Sequence, residues 1–308
     1  VDEAEMLAAN GADDIVLAYP LYGPSADRFI RLTVGYPDVV FTAVADCRAG
    51  IDELSQTISR LQQDGTQPHG TGRRRLRLLL DVDCGMGRTG TSFEAIPGLW
   101  AYAEEQEHLE VYGLHVYDGQ VRETDFDTRC RICDAIYERI CALKKHLQAD
   151  GAEVERIIAG GTISFPCYAR RQDVELSPGT FVFHDAGYRD LYPDLPFEPA
   201  AVLFSRVISI PAQNRISIDA GSKAISTDPA GDPGTLLNIP GARSLKMSEE
   251  HWTFEVDDAA GLVPGSPVFI LPVHICPTVN LYDAVYTLDG DGKWGPLWRI
   301  SARGHQLD

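Results

Sequence analysis

His274 and Cys276 lie two residues apart in "LPVHICPTVNLYDAVY" (271–286), a run whose apolar and β-branched residues read as a strand. Residues i and i+2 of a strand leave the same face, so an imidazole and a thiol there would aim at one spot. Such a pair makes half of a metal centre, with positions left for water and a substrate. Thiolate with imidazole favours zinc; a carboxylate in the thiol's place would suit Mn2+ or Mg2+ better. The same two residues also read as a buried core pair.

A second group of chemistry-bearing residues lies at the ends of apolar runs. "DCGMGRTG" puts Arg88 in a Gly-rich loop, and "HVYDGQ" offers Tyr117 and Asp118. "AGGTIS" carries Gly160, Gly161 and Thr162, and "SPGTF" carries Gly179 and Thr180. Two Gly-Thr turns on neighbouring strands suit a phosphate, because turn amides cradle an anion. Gly and Thr are also common in ordinary βα loops. Arg88 and Tyr117 taken singly read as a surface arginine and a core aromatic.

These residues need elements to hold them. Strand candidates fall at 14–20, 38–45, 75–83, 109–117, 154–161 and 174–183, with helix candidates between them at 24–34, 50–64, 92–107 and 124–149. Continuous rather than alternating apolar strands imply a parallel sheet buried on both faces. No G-x-G-x-x-G follows the first strand, which removes the main cue for a dinucleotide fold. After about residue 197 the runs alternate and are joined by Gly, Pro and Asp turns, with a hairpin expected near "LDGDGK". That texture is antiparallel β. The expected organisation is α/β plus all-β: a βα domain over 1–195 and an antiparallel β domain over 196–308 carrying the metal ligands.

The sequence has 308 residues and a net charge of −18, which argues against a nucleic-acid partner and favours a soluble, cytoplasmic protein. No stretch approaches a membrane span, and "VDEAEMLAANG" has no signal-peptide core. The seven cysteines do not form a disulfide-scaffold pattern. Cys130 and Cys133 make a C-x-x-C inside a segment of helical periodicity with no second pair at suitable spacing, and reduced thiols are expected there.

Taken together, "EAEMLAANGADDIVLAYP", "DVDCGMGRTG", "GLHVYDG", "GGT", "SPGTFVFHDAGY", "SEEHW" and above all "HICPTVNLYD" resemble the D-serine dehydratase / D-threonine aldolase family. These are fold-type III pyridoxal-phosphate enzymes with an alanine-racemase-like (β/α)8 barrel. The resemblance implies that Gly161, Thr162, Gly179 and Thr180 hold the cofactor phosphate, that Arg88 lies by the pyridoxal ring and its phenolic oxygen, and that Tyr117 lines the same pocket. It implies a divalent metal on His274 and Cys276, expected to be zinc. It also implies a D-3-hydroxy amino acid substrate and a homodimer.

Two departures follow. The family's Schiff-base lysine, expected in a Pro-His-x-Lys-Thr-His-Lys-like motif on the first barrel strand, is absent from this chain; Lys144, Lys145, Lys223, Lys246 and Lys293 lie in no such motif. With only six of eight barrel strands found and no initiator Met, the chain reads as N-terminally truncated. Gln120 stands where many relatives have histidine, and glutamine cannot serve as a general base. Elimination of water is the expected reaction. Retro-aldol cleavage and a degenerate, non-catalytic barrel are the alternatives.

Overall fold

The computed structural model describes residues 1–66, 75–257, 259 and 261–304. Contacts group the chain into two compact units, one built on Val1–Pro178 and the other on Gly179–Ser301.

The first unit is a parallel sheet of six strands in sequence order: β1 (Asp14–Val16), β2 (Val40–Ala45), β3 (Leu76–Asp81), β4 (Leu109–Val116), β5 (Arg156–Ala159) and β6 (Glu175–Leu176). The continuous apolar runs explain this, since β2 and β3 are buried along almost their whole length. One face is covered by α1 (Asp2–Ala9), α2 (Pro24–Gly35), α3 (Arg48–Gln63), α4 (Ile96–Glu104) and α5 (Phe126–Ala149). Helix α3 buries Ile51, Leu54, Ile58 and Leu61, a stripe at helical spacing. Asp125 caps α5 by accepting from Thr128 N at 2.9 Å. The opposite face carries a smaller apolar cluster of Val44, Leu79 and Ile158, with Val16 and Tyr112 packed on it.

That second face is concave. Arg156, on β5, donates to both carboxylate oxygens of Asp14, on β1, at 3.0 Å, and to Glu175 on β6 at 2.6 and 2.8 Å. In a flat sheet β1 and β5 would stand about 19 Å apart at the usual strand spacing, beyond the reach of one side chain. The sheet therefore curls as a barrel wall does. Neighbouring β4 and β5 approach closely at Gly113, where an added Cβ would fall 1.8 Å from the Arg156 carbonyl oxygen. A short helix, α6 (Phe165–Tyr168), follows β5.

The second unit is an antiparallel sheet with a hairpin beside it. The sheet comprises β7 (Leu203–Ala212), β8 (Arg215–Ile218), β9 (Gly234–Leu236), β10 (Arg243–Met247), β11 (Trp252–Glu255) and β12 (Pro267–Pro272), in the order β10-β11-β8-β7-β12-β9. Its core holds Val207, Ile216, Ile218, Trp252, Phe254, Val268 and Ile270. Strands β13 (Ala284–Leu288) and β14 (Trp294–Arg299) form the hairpin expected at "LDGDGK", closed by Asp289 N–H to Lys293 O at 2.9 Å.

Two expected strands need correction. The run 174–183 is strand only at β6; Pro178 and Gly179 break it, and Thr180–Val182 winds into a 3-10 turn. The run 271–286 is not one strand either. It ends at Pro272, His274 starts the short helix α8 (Ile275–Val279), and strand resumes at Ala284. Residues 179–195, expected with the barrel, group with the second unit. There α7 (Ala186–Leu191) lies against β12, and Gly187 N donates to Val273 O at 3.2 Å. No helix among the described residues is long and apolar enough to cross a membrane.

Candidate active site

The loop after β3 is shaped by a carboxylate. Asp83 Oδ1 accepts from Gly85 N at 2.8 Å and Gly87 N at 3.1 Å, and these amides hold its carboxyl below the usual range. The folded-back loop presents Arg88 over the Tyr117 ring, 4.9 Å from its centroid. Tyr117 in turn packs on Gly161, where a Cβ would come within 3.0 Å of the ring. Arg88 and Gly161 thus both meet Tyr117, and the buried Thr162 follows Gly161 directly.

The turn after β5 rests on Asp118, a buried residue whose Oδ1 accepts from Gly161 N at 3.2 Å and from Ser164 Oγ at 2.6 Å. Burial pushes this carboxyl above its ordinary pKa, although those hydrogen bonds oppose the shift. The Gly161 amide is therefore committed to the scaffold, and the missing Cβ at Gly161 is what lets the Tyr117 ring pack against this turn. Gly160 O accepts from both N and Oγ of Ser177 at 3.2 Å, which ties the turn after β5 to the one after β6.

Gln120 has a packing role here. Its Nε2 donates to Cys84 O at 3.1 Å, joining the loops after β3 and β4, and the buried Cys84 thiol is pushed up to about 11 by desolvation. A buried pair that the sequence reading missed sits on β3 and β4: His115 Nδ1 and Asp81 Oδ1 are 2.7 Å apart. Alternation puts both on the face that carries Leu79 and Tyr117. The five lysines lie elsewhere. Lys144 and Lys145 are on α5, Lys246 is on β10, Lys223 pairs with Glu249 and Glu250, and Lys293 pairs with Asp291.

In the second unit Thr180 Oγ1 and Cys276 Sγ are 3.1 Å apart. His274 is the N-cap residue of α8 and Cys276 lies in its first turn, so strand alternation does not relate them; they share one turn of chain. Two aspartates fix that turn. Asp185, fully buried, accepts from Ile275 N at 2.9 Å through one oxygen and caps α7 through the other, which accepts from Tyr188 N at 2.9 Å. Asp228 Oδ2 lies 2.5 Å from His274 Nδ1. Burial works against the Asp228 charge, but hydrogen bonds from Ser226 and His274 outweigh it and hold the carboxyl below its ordinary value.

These residues fit the groups the resemblance calls for. With Nδ1 facing a carboxylate, His274 keeps Nε2 as a metal donor, and the Cys276 thiol supplies a soft second donor. Among the described residues no cluster of three or more His, Cys, Asp or Glu side chains is arranged for a metal. On the barrel side, Tyr117 lies between Arg88 and Gly161, so the residues assigned to the cofactor ring and one assigned to its phosphate meet at a single aromatic side chain.

Residues 1–185 match the family described as alanine racemase, N-terminal domain, and residues 200–288 match the putative serine dehydratase domain. The chain belongs to the D-serine dehydratase / D-threonine aldolase family of fold-type III pyridoxal-phosphate proteins, with an alanine-racemase-like barrel. A D-threonine aldolase of Arthrobacter sp. is 28% identical over 310 residues, covering 99% of this chain and 78% of that protein. The solved D-threonine aldolase from Filomicrobium marinum aligns with a TM-score of 0.82 at 23% identity, covering 98% of this chain and 79% of that one. D-threo-3-hydroxyaspartate dehydratase from Delftia sp. HT23 aligns at 0.78 and 22% identity, covering 99% and 82%. Two solved variants named D-threo-3-hydroxyaspartate dehydratase replace a histidine and, two positions later, a cysteine by alanine, the latter in a metal-free form.

Proposed function

We propose that this protein is a pyridoxal-phosphate- and zinc-dependent lyase that eliminates water from a D-3-hydroxy amino acid, giving a 2-oxo acid and ammonia. The observation that carries this reading is the His274-x-Cys276 pair at the start of α8, with Asp228 on the imidazole Nδ1 and the Thr180 hydroxyl against the thiol. The histidine and cysteine replaced in the dehydratase variants have the same spacing.

When bound, the cofactor would acidify the substrate α-proton and the metal would polarise the β-hydroxyl as a Lewis acid. The chain's own residues bind and orient. Arg88 and Tyr117, which stack on each other, would line the side of the cofactor ring, Arg88 supplying a cationic donor for its phenolic oxygen. Gly161, Thr162, Gly179 and Thr180 would receive the phosphate, Thr162 and Thr180 through their hydroxyls. His274 and Cys276 hold the metal, Mn2+ or Mg2+ being the alternative ions.

Retro-aldol cleavage to glycine and an aldehyde is the second reading, favoured by the aldolase relative that spans 99% of the chain. Product analysis with D-3-hydroxy amino acids separates the two. Ammonia with 2-oxo acid is expected, glycine with aldehyde would replace dehydration by aldol chemistry, and no turnover of any such substrate would sink both. The same reading carries a homodimer in the cytoplasm; sedimentation tests the dimer.

Thr162→Val and Thr180→Val are each expected to weaken pyridoxal-phosphate binding in the metal-free protein by about ten- to a hundredfold, the range of a lost charge-assisted hydrogen bond. Fluorescence titration reads this directly. Unchanged affinity in both variants would place the phosphate elsewhere.

A further inference from the structure

We infer that Asp228 is a positioning residue for the metal centre: it fixes the His274 ring with Nδ1–H toward its carboxylate and Nε2 as the donor to a divalent cation. The inference rests on the metal reading above and adds a residue that lies 46 positions from the histidine it serves.

The contact is solvent-exposed, with 37% of the His274 and 49% of the Asp228 side chain accessible, but it is not isolated. Exposed pairs contribute little because two long side chains must be ordered in water. Here both partners are short, and both are held from behind. Ser226 Oγ donates to Asp228 Oδ1 at 2.6 Å, leaving Oδ2 for His274 Nδ1 at 2.5 Å. Ser226 N donates to Thr278 Oγ1 at 3.1 Å, and Thr278 Oγ1 donates to His274 O at 2.7 Å. Thr278 is itself buried. The four residues thus close a ring of hydrogen bonds: backbone of Ser226 to Thr278, Thr278 to the backbone of His274, the His274 ring to Asp228, and Asp228 back to the Ser226 hydroxyl.

This ring fixes the imidazole at its backbone carbonyl and at its near nitrogen, Nδ1, and leaves the far nitrogen, Nε2, outside the ring of hydrogen bonds. A carboxylate accepts only, so a neutral ring facing it carries its proton on Nδ1 and its lone pair on Nε2. A carboxylate behind a ligating histidine also raises the basicity of the donor nitrogen. An imidazole nitrogen and the Cys276 thiol in the same turn make a donor pair suited to a borderline or soft divalent ion.

The test measures zinc alone, on the whole protein, by chelator competition in wild type, Asp228→Asn, Asp228→Ala and His274→Ala. Zinc dissociation constants are expected to rise about tenfold in Asp228→Asn and toward a hundredfold in Asp228→Ala, the range seen when the carboxylate behind a ligating histidine is removed. Nitrogen-15 histidine spectra of the metal-free protein supply a readout that a purely structural strap would not move. The sequence has eight histidines, and His274 is assigned by difference against His274→Ala. Its ring is expected as the Nδ1–H tautomer in wild type and as predominantly Nε2–H in Asp228→Ala. Unchanged zinc affinity and tautomer in a folded Asp228→Ala, with affinity lost in His274→Ala, would overturn the role of Asp228 and leave the metal reading standing. Wild type that binds no zinc would overturn the metal reading and the inference with it. If Asp228→Ala does not fold, the Asp228→Asn measurements decide on the same terms.

Discussion

Replacing Cys276 or His274 by alanine is expected to strip zinc from the protein and to slow turnover of a D-3-hydroxy amino acid on the order of a thousandfold or more. That is the scale of the several kcal/mol a Lewis acid contributes to a developing charge. With two protein donors, either loss leaves one side chain and water to hold the ion. Metal analysis after dialysis, paired with an ammonia assay, checks both halves. Full occupancy in the double variant would end the assignment of these residues. Cys276→Asp probes the donor's softness, since a carboxylate shifts preference toward Mn2+ or Mg2+. If zinc steers elimination, that variant should release less ammonia relative to aldehyde.

Gly113→Ala is expected to cost about 3 kcal/mol of stability or more, at the upper end of overpacking effects. The new methyl would stand 1.8 Å from the Arg156 carbonyl oxygen and 2.7 Å from its carbonyl carbon, both rigid backbone atoms. Strands β4 and β5 must then separate where Gly113 pairs with Arg156. Arg156 is also the residue that reaches Asp14 and Glu175, so the displacement should propagate to β1 and β6. Denaturant unfolding measures the loss; a midpoint equal to wild type would mean that the strands have slack that their approach does not show.

Much of this architecture was legible in the sequence because its signals are local. Runs dense in apolar residues, such as the Leu78–Leu80 stretch of "RLRLLLDVD", marked the inner strands, and the 3–4 spacing of Ile51, Leu54, Ile58 and Leu61 marked α3. The same reasoning failed where an apolar run hides a break. "LPVHICPTVN" has the composition of a strand, yet Pro272 ends the ladder and Pro277 is tolerated in the first turn of α8, where no amide partner is needed. Residues that act across long separations left no such trace. Asp228 and Asp185 are unremarkable in their own segments, and only the fold brings them to His274 and Ile275. Gln120, read as a gap in proton transfer, is engaged with the Cys84 backbone instead.

Thr180 and Cys276 share a single proton's worth of ambiguity, because a hydroxyl can give only once. Beside a thiol, Thr180 can accept from sulfur, so its own hydroxyl proton need not point there. Beside a metal-bound thiolate, which only accepts, that proton is drawn to sulfur and an anion meets oxygen lone pairs. On the proposed reading this makes cation occupancy and phosphate occupancy two faces of one equilibrium. Whatever factor the first imposes on the second, the second must return to the first. Thr180→Val removes this proton-mediated part of the coupling, so the two affinities, each measured with and without the other group, should become more nearly independent.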